Sequence, residues 1–123
     1  PDDVLRLTKK NGGVVMINFY SGFIVPTAEL KADKKARGSL KTVVDHIEHV
    51  IKVAGVEHVG IGSDYDGVSR LPVGLEDVST YPRITQALLD RGYDRKAIHG
   101  ILGGNVMRVL RQNEKVSRSL RKK

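Results

Sequence analysis

The chain has 123 residues, 40% of them hydrophobic, with 21 Lys and Arg against 14 Asp and Glu for a formal net charge of +7. That hydrophobic share suits a packed core and excludes intrinsic disorder, and the length allows one domain or a piece of one. No apolar run approaches the ~18–20 residues that span a bilayer, and the absence of cysteine excludes disulfides and thiolate metal sites.

The chain opens on Pro1-Asp2-Asp3 with neither an initiator Met nor a signal pattern, as expected of a truncated or processed product. Asp2 or Asp3 is expected to cap a short helix carrying Val4, Leu5 and Leu7, which Asn11-Gly12-Gly13 ends. Val14 to Tyr20 reads as a strand, and its nearly continuous apolar run predicts burial on both faces, as in a parallel sheet. Residues 21–38 form a long connection, expected to be functional or mobile. Leu40, Val43, Val44, Ile47, Val50 and Ile51 then fall on one stripe of a 3.6-residue period, with Ser39 as N-cap and Gly55 as the stop.

His58 to Ser63 predicts a second short strand whose glycines imply close approach of a neighbour. An irregular stretch follows Gly67. Ser79 or Thr80 is expected to cap a helix with Pro82 in its first turn, Ile84, Ala87 and Leu88 along it, and a turn at Arg91-Gly92. Asp94 starts another helix, which Gly103-Gly104 interrupts, and Asn105 opens the last. Residues 116–123 make a basic tail, expected to be a solvated helix end that frays. The order α-β-α-β-α-α-α contains one right-handed βαβ unit. Two parallel strands cannot bury themselves, so this α/β unit is incomplete as a stand-alone fold, and the rest of the polypeptide or another chain must cover its edges.

Ligands of α/β folds gather at the carboxyl ends of parallel strands. Asn18 to Phe23 and Ser63 to Gly67 occupy those ends. A carboxylate at Asp64 can polarise a metal-bound water, shuttle a proton or hold a substrate ammonium, or it can cap a turn. Asp66, directly before Gly67, reads as a turn residue. His46 and His49 lie three apart on the long helix, a spacing that can bind zinc. No third ligand has the right spacing, however, and a helix outside the sheet faces away from the strand ends, so both read as structural. His58 starts a strand at the end opposite the expected site, and His99 has no evident partner. The basic segment from Arg108 leaves a non-catalytic binding module as a competing reading, but no aromatic residue interleaves with its charges, so nucleic acid is not expected.

Six short motifs in order then carry a resemblance. They are Pro1-Asp2-Asp3-Val4-Leu5 with Asn11 to Met16, Asn18-Phe19-Tyr20, Val44 to His49 with Val53-Ala54-Gly55, Gly60 to Gly67, Gly74 to Pro82, and Asn105 with Arg108-Val109. Over residues 1 to about 115 the chain resembles the C-terminal part of zinc dipeptidases of the renal (membrane) dipeptidase family, peptidase family M19. Another amidohydrolase-like barrel enzyme is the remaining alternative, against which the Gly74 to Pro82 match argues.

The resemblance implies the last two strands of a (β/α)8 barrel and a site of two zinc ions that hydrolyses dipeptides. It places the zinc ligands and the substrate-carboxylate arginine upstream of Pro1, and no metal ligand within the chain. It assigns Asp64 to the aspartate that contacts the bridging water and the substrate, and Phe23 to a substrate-adjacent position held by tyrosine in the renal enzymes. The cysteine-free loop from Thr27 to Gly38 looks bacterial, which implies a cytoplasmic or periplasmic location and leaves substrate range open. The implied partners are a dipeptide, the rest of the barrel and a second copy in a homodimer. The isolated chain is expected to be inactive.

Overall fold

The computed structural model describes residues 1–121. Helix α1 spans Asp2–Asn11 and strand β1 Val15–Asn18. Two short helices follow, α2 over Ser21–Ile24 and α3 over Thr27–Ala32, then the long α4 over Leu40–Ala54 and strand β2 over Val59–Ser63. Helices α5 (Tyr81–Asp90), α6 (Arg95–His99) and α7 (Asn105–Leu120) complete the order, with a π-turn at Gly100–Gly104 joining the last two. Among the described residues no helix is long and apolar enough to cross a membrane.

The two strands pair in parallel, with α4 as the crossover, as the βαβ pattern predicts. Val43, Val44, Ile47, Val50 and Ala54 form the buried face of α4. They share one core with Ile17 and Val59 of the sheet, with Ile84 and Leu88 of α5, and with Ile98 and Ile101 beyond it. Ser39 caps α4 through a reciprocal pair: its hydroxyl accepts from the Thr42 N–H, and its own N–H reaches the Thr42 hydroxyl.

Several expectations need correction. Strand β1 is shorter than Val14–Tyr20, and its Met16 is 44% exposed, so burial on both faces does not hold. Helix α4 covers one face of the sheet, whereas the other presents Met16 opposite Gly60. The connection over residues 21–38 is not a continuous loop, since it contains α2 and α3. Asp2 and Asp3 lie in the first turn of α1 without capping it, because the Asp2 carboxylate instead meets the His49 Nε2 at 2.7 Å. Thr80 has helical dihedrals, and the lead-in to α5 is capped by Asp77, whose carboxylate accepts from the Ser79 N–H.

Helix α7 runs through residue 120, and Lys122 and Lys123 of the expected tail lie outside the described residues. Its base is fixed by two side chains. Asn105 donates to the carbonyls of Val56 and Val59, and Arg108 to those of Gly12 and Glu57. These bonds satisfy backbone groups at the entries to both strands.

Candidate active site

The carboxyl ends of β1 and β2 do not keep an even register. Ile17 pairs with Ile61, but Asn18 pairs with Ser63, so Gly62 is an extra residue in a bulge. Such bulges bend a strand and re-aim the side chains beyond them. A Cβ at position 62 would sit 3.2 Å from the Ile17 carbonyl, which is why glycine fits where the strands close up. The backbone then takes two left-handed residues in succession, Ser63 with φ 45° and Asp64 with φ 71°. Each costs of order 1–2 kcal/mol for a residue with a Cβ, less for Asp, whose short polar chain tolerates the region.

That path swings Asp64 back over the end of β1. The Asn18 Nδ2 donates to Asp64 Oδ2 at 2.7 Å. The Asn18 Oδ1 in turn accepts the backbone N–H of Tyr20 at 2.7 Å. A turn from Asp64 to Gly67 closes with a 3.1 Å bond between the Asp64 carbonyl and the Gly67 N–H, and Asp66 falls inside it. Gly67 is not in the left-handed region. Its requirement is space, because a Cβ there would run into the Asp64 carboxylate. The Asp-Gly pair is therefore more than a turn, since the glycine leaves room for the acid three residues before it.

Tyr65 points the opposite way from the exposed Asp64. Its ring meets Phe19 edge-on at 5.8 Å and lies 6.0 Å from Tyr81, and this aromatic cluster anchors the loop beneath the acid. Burial pushes the Tyr65 hydroxyl above its ordinary value.

Phe23 sits on α2, 69% exposed, its ring edge-on to Tyr20 at 5.1 Å. The Arg70 guanidinium covers Tyr20, 5.4 Å from the ring centre. Asp64 is thus brought together with Asn18, and Phe23 stands with Tyr20 and Arg70. Asn18, Tyr20 and Arg70 are neighbours that sequence reasoning did not assign. The signals were that Asn18 and Tyr20 lie in the stretch leaving the first strand and in one motif of the resemblance.

The loops leaving the two strands are stitched to one another. The Ser21 N–H donates to the Arg70 carbonyl, the Val73 N–H to Gly38, and the Leu40 N–H to Val73. Arg37 Nε reaches the Leu71 carbonyl at 2.7 Å, and the buried Ser21 hydroxyl accepts from the Gly38 N–H. Arg70 also donates to the Lys34 carbonyl.

Three of the four histidines are spoken for elsewhere. His46 Nδ1 donates to the Thr42 carbonyl and His58 Nδ1 to the Gly13 carbonyl; a carbonyl only accepts, so each Nδ1 carries the proton. His49 meets Asp2, so the two histidines of α4 serve different partners. Among the described residues no group of three or more His, Cys, Asp or Glu side chains is placed to hold a metal ion.

The model of the membrane dipeptidase family, peptidase family M19, matches residues 1–123. The chain belongs to this family. It is 47% identical over 116 residues to dipeptidase 3 of Homo sapiens, covering 94% of this chain and 22% of that protein. It is 49% identical over 120 residues to dipeptidase aclJ of Aspergillus oryzae, covering 98% of this chain and 27% of the other. The M19 chain thus spans about a quarter of the length of these curated relatives. Among solved structures it is similar to a metallo peptidase from Rhodobacter sphaeroides, liganded with a phosphinate mimic of the dipeptide L-Ala-D-Ala. The TM-score is 0.72 at 30% identity, over 85% of this chain and 28% of that one.

Proposed function

We propose that this M19 chain is the C-terminal part of a (β/α)8 dipeptidase and forms one wall of its active site, with Asp64 as the acid–base group. The observation that carries this reading is the Asp64 carboxylate, exposed just past a parallel strand on a left-handed backbone pair and held there by Asn18. Strain of this kind persists where surrounding structure enforces it, and it clusters at functional sites. The dipeptidase relatives and the phosphinate-liganded neighbour support dipeptides as substrates.

In this reading Asp64 accepts a proton from the attacking water as the water oxygen bonds to the peptide carbon. It passes that proton to the amine nitrogen as the carbon–nitrogen bond breaks, and so returns to its carboxylate form. Phe23 offers an apolar ring beside the site, without a hydroxyl. Two zinc ions, with ligands from outside these residues, would supply Lewis-acid polarisation in the whole protein.

Asp64→Asn in the full-length protein is the direct test. Asparagine has nearly the same shape and tolerates the left-handed region, so fold and metal content should be retained while kcat falls about 10²–10⁴-fold. Loss of metal with little change in kcat would give Asp64 a different role. The isolated 123-residue chain should show no dipeptide hydrolysis, and measurable turnover by the pure chain would contradict the assignment of the metal ligands to other segments.

A further inference from the structure

A carboxylate has two oxygens, and the geometry around Asp64 does not treat them alike. We infer that Asn18 is a positioning residue that occupies Oδ2 of Asp64 and leaves Oδ1 as the oxygen that handles the proton. This rests on the reading of Asp64 as the acid–base group.

The orientation of Asn18 is decided by its other neighbour. A backbone N–H can only donate, so the Tyr20 N–H must face the amide oxygen of Asn18, as the 2.7 Å contact to Oδ1 shows. The amide nitrogen is then turned toward Asp64 and donates to Oδ2 at 2.7 Å. A flipped amide would set two donors against each other at Tyr20 and two acceptors against each other at Asp64. Oδ2 therefore faces a fixed donor, and a proton arriving there competes with it.

Oδ1 has no hydrogen-bond partner among the described side chains and backbone groups, and it lies over Gly67, where a Cβ would collide with it. One oxygen is hydrogen-bonded, and the other rests against Gly67 with no hydrogen-bond partner among the described residues. The bulge at Gly62 makes this possible, since it brings Ser63 rather than Gly62 opposite Asn18. The carboxylate is thus held by Asn18 at the end of β1 and packed against Gly67, the preorganisation that an acid–base group needs. In the reaction, the water O–H bond breaks, its proton bonds to Oδ1, and the same oxygen releases it to the leaving nitrogen.

A structural alternative is that Asn18 only holds the start of the next loop through the Tyr20 N–H. Asn18→Asp separates the two roles. It keeps an oxygen for Tyr20 but turns an acceptor toward Asp64 in place of a donor. In the full-length protein we expect Asn18→Asp to lower kcat about 100-fold while KM changes little, with the Asp64 carboxylate rotated off its wild-type position in the crystal structure. Wild-type kcat, or an unmoved Asp64, overturns the inference.

Should Asn18→Asp melt early from repulsion, the exchange variant Asn18→Asp/Asp64→Asn should recover the melting temperature but not the activity. In that variant the amide introduced at position 64 donates to the carboxylate introduced at position 18, and the bond is restored with its polarity reversed. Failure to recover the melting temperature means the pair is not formed. An active Asp64→Asn single variant would remove the acid–base reading itself. An inactive Asp64→Asn beside a fully active Asn18→Asp would remove only the role of Asn18.

Discussion

Gly67 illustrates how one missing side chain can serve a neighbour rather than its own backbone. Its φ is ordinary, so alanine is conformationally permitted, but the new Cβ would meet the Asp64 carboxylate. Gly67→Ala should leave the melting temperature within about 2 °C, given the usual scale of a few degrees per kcal/mol, and reduce kcat at least tenfold as Asp64 is displaced. Equal activity in a steady-state assay would show that the acid has room to spare. The position of Asp64 just past the second strand was legible in the sequence, because the strand pattern stops at Ser63. The part played by Asn18 was not. It depends on a one-residue bulge that no local pattern announces, and a register shift of one residue reverses every side chain beyond it. Phe23 was named through resemblance alone, and its packing on Tyr20 beneath Arg70 needed coordinates.

Helix α4 was readable almost in full, since six apolar residues at one period outweigh any competing pattern. Its first turn also tests cleanly. Ser39→Ala removes the hydroxyl from the capping pair with Thr42 and should cost about 1 kcal/mol in urea unfolding. A loss below a few tenths would mean that water replaces the cap. Helices α2 and α3 were not readable. They have four and six residues, too short to show a period, and a tertiary bond from the Ser21 N–H to the Arg70 carbonyl supports α2. One face of strand β1 escapes the pattern because an apolar run records what a strand tolerates, not which layers are present to cover it. Met16 is as apolar as its neighbours, and α4 lies on the other side.

Across the molecule, much of the charge works in local pairs that join elements. Arg91, at the end of α5, bonds to both Asp45 and Glu48 of α4. Lys41 and Arg91 beside Asp45 hold its carboxyl below the usual 3.8, and His49 does the same for Asp2. The Gly74 N–H lowers Glu76 from its usual 4.5, and the Ser79 hydroxyl and N–H lower Asp77 from 3.8. In each case the unfolded chain binds the proton more readily than the folded one. Their contribution is therefore complete above the unfolded values, 3.8 and 4.5, and is lost as pH falls through the lower folded ones. The urea midpoint should be lower at pH 3 than at pH 6, and a midpoint that does not move would show that these pairs add nothing net. The two-stranded parallel sheet was foreseeable at this level, because two strand patterns flank one helical crossover. The cross-links between the loops over residues 21–38 and 64–74 were not. They have an evolutionary consequence. Bonds such as Ser21 to Arg70 and Val73 to Gly38 tie the two loops together, so their amides should exchange with deuterium as one unit. Through evolution the two loops are therefore expected to change in step, because an insertion in one strands the backbone groups of the other.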